Sequence, residues 1–169
     1  SMDVDVQNVG SGNANSVNVN LSTTDPAVTV VTNSAVISII NPSQMLSIPT
    51  PFTFQVANNI TDQHVVVFTL DMTDNLSNTW SSTINVLLNA PILDHTTFTI
   101  NDVALGNGNG RLDAGETLDL VIDATNTGHA DIDNLTATLG SLSSYVTINT
   151  VSVNVTSLHT NQQQATVFN

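Results

Sequence analysis

Apolar and polar residues alternate along most of this chain. Val4 and Val6 alternate, as do Val17, Val19 and Leu21, and turn residues 8–13 (Asn-Val-Gly-Ser-Gly-Asn) separate the two runs. Successive side chains of an extended strand point to opposite faces, so a period of two predicts strands. Residues 28–31 predict a short third strand. Residues 35–40 predict a fourth, stopped by Asn41-Pro42-Ser43. Phe52, Phe54 and Val56 alternate next. The continuous apolar run at 65–70 predicts a central strand, and 74–78 a turn. Residues 80–88 form a further strand with Ile84, Val86 and Leu88 in phase, and Trp80 beside them is expected in the core.

Asn89-Ala90-Pro91 reads as a boundary, giving units 1–90 and 91–169. The second unit opens with Ile92-Leu93 and Phe98-Thr99-Ile100. A Gly/Asn loop follows at 106–110. Alternation then resumes at Leu118, Leu120 and Ile122, at Leu135, Ala137 and Leu139, at Val146 and Ile148, and at Val151, Val153 and Val155. No segment keeps a helical period. Many short strands at close spacing predict an all-β, immunoglobulin-like antiparallel β-sandwich. The Cys pair of true immunoglobulin domains is missing.

The chain also echoes itself. Residues 4–10 (Val-Asp-Val-Gln-Asn-Val-Gly) return at 122–128 (Ile-Asp-Ala-Thr-Asn-Thr-Gly), an offset of 118 residues, from 8 to 126. The offset holds for Leu21 and Leu139, Thr32 and Thr150, Ser34 and Ser152, Gln44 and Gln162. This predicts a fragment of a tandem array. In that frame the first unit lacks its first strand, equivalent to residues 92–118 with their loop. The second lacks its last three strands, equivalent to 52–88. Unclosed sandwiches recruit strands, so a strand-exchanged homodimer is expected.

Composition narrows the function. Charged residues are 9% of the chain, Arg111 is the only base, and the net charge is −13. Such a chain repels phosphate backbones and anionic lipid, which argues against nucleic-acid and membrane-surface binding. Zero cysteines exclude disulfides, thiol nucleophiles and Cys-based zinc sites. No apolar run reaches membrane-helix length, so no membrane insertion is expected. Ser1-Met2 reads as a cloning remnant. Abundant Val, Thr, Asn and Ser suit a secreted or cell-surface β-module.

The segment Asn107-Gly108-Asn109-Gly110-Arg111-Leu112-Asp113-Ala114-Gly115-Glu116-Thr117, followed by Asn126-Thr127-Gly128, resembles the Ig-like repeats attached to gingipain-type cysteine peptidases and other surface proteins of Bacteroidetes. Segments 21–29 and 50–57 are similar to the same repeats. The resemblance covers essentially the whole chain. It implies secretion within a larger multidomain protein, whose neighbouring domains would be partners. It carries over no catalytic nucleophile.

One motif points to chemistry. With Gly110 at position six of an EF-hand-type loop, Asn107, Asn109, Asp113 and Glu116 fall at positions three, five, nine and twelve, and Arg111 supplies a backbone carbonyl at seven. Oxygen ligands at that spacing suit calcium, with Glu116 closing the sphere. Position one is Leu105, and Asp102 serves in its place only if the loop bulges. The same Asn-Gly pairs turn a chain with no ion at all, and both readings stand. His64, His95, His129 and His159 show no ligand spacing and are expected at the surface. Asp119 and Asp123 are expected on a solvated edge. No Gly-x-Ser-x-Gly elbow occurs. The expectation is therefore a non-catalytic accessory module of a secreted bacterial surface protein, with a gingipain-like peptidase as a candidate neighbour. The alternative is an adhesin-type module that binds a host protein or glycan.

Overall fold

The computed structural model describes residues 1–49 and 51–169. Thr50, which opens the segment 50–57 used for the family resemblance, lies outside the described residues. The described chain is all-β, with every strand pairing antiparallel and no helix among the described residues. It divides into two compact units, Ser1–Leu88 and Asn89–Asn169.

The first unit holds β1 (Asp5–Gln7), β2 (Ala14–Ser22), β3 (Val28–Thr32), β4 (Ser34–Ile40), β5 (Met45–Ser47), β6 (Thr53–Val56), β7 (His64–Thr73) and β8 (Thr79–Leu88). One sheet runs β4-β2-β7-β8, and two short ladders, β1-β5 and β3-β6, complete the sandwich. The alternation sets which face is buried. Val17, Val19 and Leu21 of β2 turn inward while Asn18, Asn20 and Ser22 face water. Val66, Phe68 and Leu70 of β7 do the same. Val6 and Val28 meet them from the ladders and Phe52 from its bridge to Met2, and the Phe54 and Phe68 rings lie 5.0 Å apart. Each such side chain contributes about 1.5–3 kcal/mol on burial. Truncating the fully buried Phe68 would remove roughly 3–5 kcal/mol.

Trp80 departs from its expected place in the core. It continues the inward row of Ile84, Val86 and Leu88 but is 45% exposed. Its end of the sandwich is open, and the indole lines a cleft with Gly10, Gly12 and Asn13.

The second unit holds β9 (Leu93–Asn101), β10 (Asp119–Asn126), β11 (Ile132–Thr138), β12 (Ser152–Leu158) and β13 (Gln163–Phe168), in sheets β13-β10-β9 and β11-β12. Its buried apolar residues are Ala90, Val155, Leu158 and Phe168.

Strand registers recur 118 residues apart. β2 pairs β4 from Ala14↔Ile40 to Asn20↔Ser34, and β11 pairs β12 from Ile132↔Leu158 to Thr138↔Ser152. Asp5↔Ser47, Val6↔Leu46 and Gln7↔Met45 have their counterparts in Asp123↔Ala165, Ala124↔Gln164 and Thr125↔Gln163. The neighbours differ. β2 also pairs β7, whereas β11 has no second strand among the described residues. β10 also pairs β9, whereas β1 has no second strand among the described residues. Residues 146–148, expected as a strand, form none. Their counterpart β3 is held by β6, and among the described residues the second unit has no β6-like ladder for them to join.

Candidate functional site

Two places gather polar groups. The first is built on an asparagine in each unit. Asn126 ends β10 with no exposed surface. Its side-chain amide donates to the carbonyls of Ala130 (2.8 Å) and Leu158 (3.1 Å), and its Oδ1 accepts from the Gly128 amide (3.1 Å) and the Ile92 amide (3.2 Å). Asn8 repeats the pattern. It donates to the carbonyls of Gly12 (2.8 Å) and Ile40 (2.9 Å) and accepts from the Gly10 amide (2.9 Å). Each asparagine backbone is tied to a second turn as well, through Asn8 N to Gln44 O and Asn126 N to Gln162 O. Ser43 and Asn161, the turn residues that donate back, share a left-handed φ of 62° and 61°. One side chain thus locks a strand end, its turn and a distant strand. The echo of Asn-x-Gly was visible in sequence. The Ile40 and Leu158 carbonyls, each 32 residues away, were not.

The second place is the loop between β9 and β10. Asp102 is almost wholly buried, and its Oδ2 accepts from the Gly110 amide at 3.1 Å. The loop therefore bulges, and Asp102 rather than Leu105 reaches the sixth-position glycine. Leu105 is 53% exposed. Glu116 accepts from the amides of Asn107 (3.1 Å) and Asp113 (3.3 Å). Asp113 accepts from the side chains of Asn109 (2.7 Å) and Asn107 (3.2 Å), and those bonds hold its carboxyl below the ordinary value. Arg111 contributes its backbone, donating to Asn109 Oδ1 at 2.8 Å. Gly106 is required here. A Cβ would press on Asp102 Cβ at 2.9 Å and approach Glu116 Cδ at 3.4 Å. Asn107, Asn109, Asp113 and Glu116 are thus brought together around a turn that also holds Asp102. Among the described residues, no three His, Asp or Glu side chains are grouped closely enough to hold a metal ion. The donor set is all oxygen, which suits a hard cation.

The histidines divide. His64 Nε2 lies 2.8 Å from Asp25, and His159 Nδ1 lies 2.9 Å from Asp131. The Ala27 amide and then His64 hold Asp25 below its ordinary value, against partial burial. His159 and then the Thr160 amide do so for Asp131. Both pairs span long sequence separations, so spacing alone could not reveal them. Asp123 accepts from the Thr97 hydroxyl of the neighbouring β9 at 2.7 Å, and Asp119 accepts from the side chain of Asn169, just past β13, at 3.0 Å.

Comparison with protein-family models, curated proteins and solved structures finds no match.

Proposed function

We propose that this chain is a non-catalytic spacer module of a secreted multidomain bacterial surface protein, built from like β-sandwich units in tandem. A gingipain-like peptidase is the neighbour the sequence resemblance suggests. The observation that carries this reading is the asparagine lock. The same side chain makes the same bonds to carbonyls at the same spacing in both units, Asn8 with Ile40 and Asn126 with Leu158. A part used twice in one frame supports a repeated scaffold. The paired histidines each meet one carboxylate at a partly or largely exposed position, which fits surface links between segments distant in sequence.

Calcium fits this reading as a stiffener of the loop between β9 and β10. Asp102, Asn107, Asn109, Asp113 and Glu116, with the Arg111 carbonyl, would hold it. The ion would take over carboxylate oxygens that now accept from loop amides. Two measurements test the module. The coding sequence on either side should contain further copies in the same 118-residue frame, set by positions 8 and 126. Scattering from chains of increasing repeat number should show length growing in equal steps. Turnover of a peptide, ester or glycoside that one point substitution abolishes would overturn it.

A further inference from the structure

In the second unit the turn after the asparagine is covered. Ile92 donates to Asn126 Oδ1 at 3.2 Å and accepts from the Thr127 amide at 2.8 Å, and the Ala90 carbonyl accepts from His129 at 3.1 Å. This lead-in continues into β9, which pairs β10 from Leu93↔Asn126 to Asn101↔Asp119. The fit leaves no space at Gly128, where a Cβ would run into the backbone of Ala90, Pro91 and Ile92.

The first unit builds the same turn with none of the described residues in the place of the lead-in. Among the described residues the Val9 and Ser11 amides have no acceptor, and Asn8 Oδ1 accepts from Gly10 alone. The edge of β1 that corresponds to the β9 side of β10 carries no strand among the described residues. A Cβ at Gly10 would meet only Asn8 Oδ1 of its own turn, at 3.2 Å. In place of a lead-in there is an open cleft of about 450 Å³, lined by Gln7, Asn8, Gly10, Gly12, Val17 and Trp80 among others.

We propose that this cleft and the β1 edge are a docking site for an extended segment of the β9 kind, an Ala-Pro-Ile lead-in followed by an alternating strand, supplied by a neighbouring module of the same type. The inference rests on the tandem reading above. The second unit sets the register. Counterparts of Leu93, Asp94, His95 and Thr97 would lie opposite Asn8, Gln7, Val6 and Asp5. Main-chain bonds give such an added strand its affinity. Proline suits the lead-in, because the bonds there use Ala90 O, Ile92 N and Ile92 O and need no donor from residue 91.

The test is a synthetic peptide of residues 89–101 titrated into the isotope-labelled full chain. Saturable one-to-one binding is expected, with shifts at Asp5, Val6, Gln7, Val9 and Ser11 and slowed amide exchange at Val9 and Ser11. Gly10→Ala should keep the parent's melting transition and bind the peptide about tenfold more weakly or worse, because the new methyl occupies the place of the lead-in. No shift at millimolar peptide, or equal binding by Gly10→Ala, would overturn the proposal. So would a sugar panel that shifts Trp80 while the peptide does not. Flanking repeats together with a peptide-blind first unit would sink this inference alone. Peptide binding without flanking repeats would sink the tandem reading and the neighbouring module as the source of the strand, and leave only the strand-accepting edge.

Discussion

Asn126 donates its side-chain amide to the carbonyl of Leu158 at 3.1 Å, and neither residue has any exposed surface. A buried polar group of this kind is worth most when every bond is made, and removing it strands its partners. Asn126→Ala should cost about 2–3 kcal/mol, because the Leu158 and Ala130 carbonyls and the Ile92 and Gly128 amides all lose a partner. Asn8→Ala should cost less, since Asn8 is half-buried and water can replace it. Urea unfolding of the two variants measures both. Equal losses, or none, would remove the lock from the argument.

The acidic loop should bind calcium weakly, with Kd roughly 10⁻⁴ to 10⁻³ M. Asp102→Asn and Glu116→Gln should each abolish the heat of binding. Arg111→Ala should leave it unchanged, because only the backbone of that residue lies in the loop's bonding. Leu105→Asp should add little, since Asp102 already reaches Gly110. A melting temperature blind to both EDTA and millimolar calcium would leave a bare turn.

Acid should destabilise the fold in a defined window. Asp25, Asp74, Asp113 and Asp131 titrate below the ordinary 3.8 in the folded chain. For Asp74 the main cause is the Asn78 side chain. Unfolding returns each to its ordinary value, so the unfolded chain binds protons more tightly. The stability these groups supply is full above about pH 4 and drains away as pH falls through their folded values. Relief of repulsion among 14 acids acts the other way at higher pH. The melting temperature should therefore hold or rise from pH 7 to about 5 and fall below about 4. Asp74→Asn should make that fall shallower. A wild-type curve still rising at pH 3 would contradict the sign.

A re-phased chain tests the shared frame directly. Residues 89–126 joined to residues 9–88 carry one copy of each strand type, with the join placed at the asparagine lock. This chimera should be monomeric and should bury the apolar rows that Trp80 and Phe98 now leave exposed, at 45% and 64%. It should resist urea better than residues 1–88 alone and bind less of an apolar dye. Light scattering, dye fluorescence and urea unfolding decide. An aggregated or dye-binding chimera would mean that the two halves do not share one frame.

Legibility followed range. The rows Val17-Val19-Leu21 and Val66-Phe68-Leu70 were readable because burial on a strand repeats every two residues. Val146 and Ile148 show the same alternation and form no strand, since a strand needs a partner that local sequence does not report. β13 was missed because Gln163 and Gln164 hide its apolar end, and β5 because three residues are too few to show a period. The acidic loop was found by spacing. Asp102 was named there only as the substitute for Leu105 in a bulged loop, because spacing alone cannot show a bulge that moves a residue three places out of register. Trp80 looked like core on alternation alone, and only the open end of the sandwich explains its exposure.

Bare strand edges are usually guarded by lysine, and this chain has none. The open edge of β1 carries Asp3 and Asp5 nearby, and that of β11 carries Asp131 and Asp133. The guard is therefore uniform sign and not local chemistry. Its reach is set by the solvent, about 30 Å in 0.01 M salt and about 10 Å in 0.1 M. Two copies that stay apart in dilute buffer lose most of that protection in brine. Ionic strength, more than concentration, then governs whether the exposed ladders of this molecule meet.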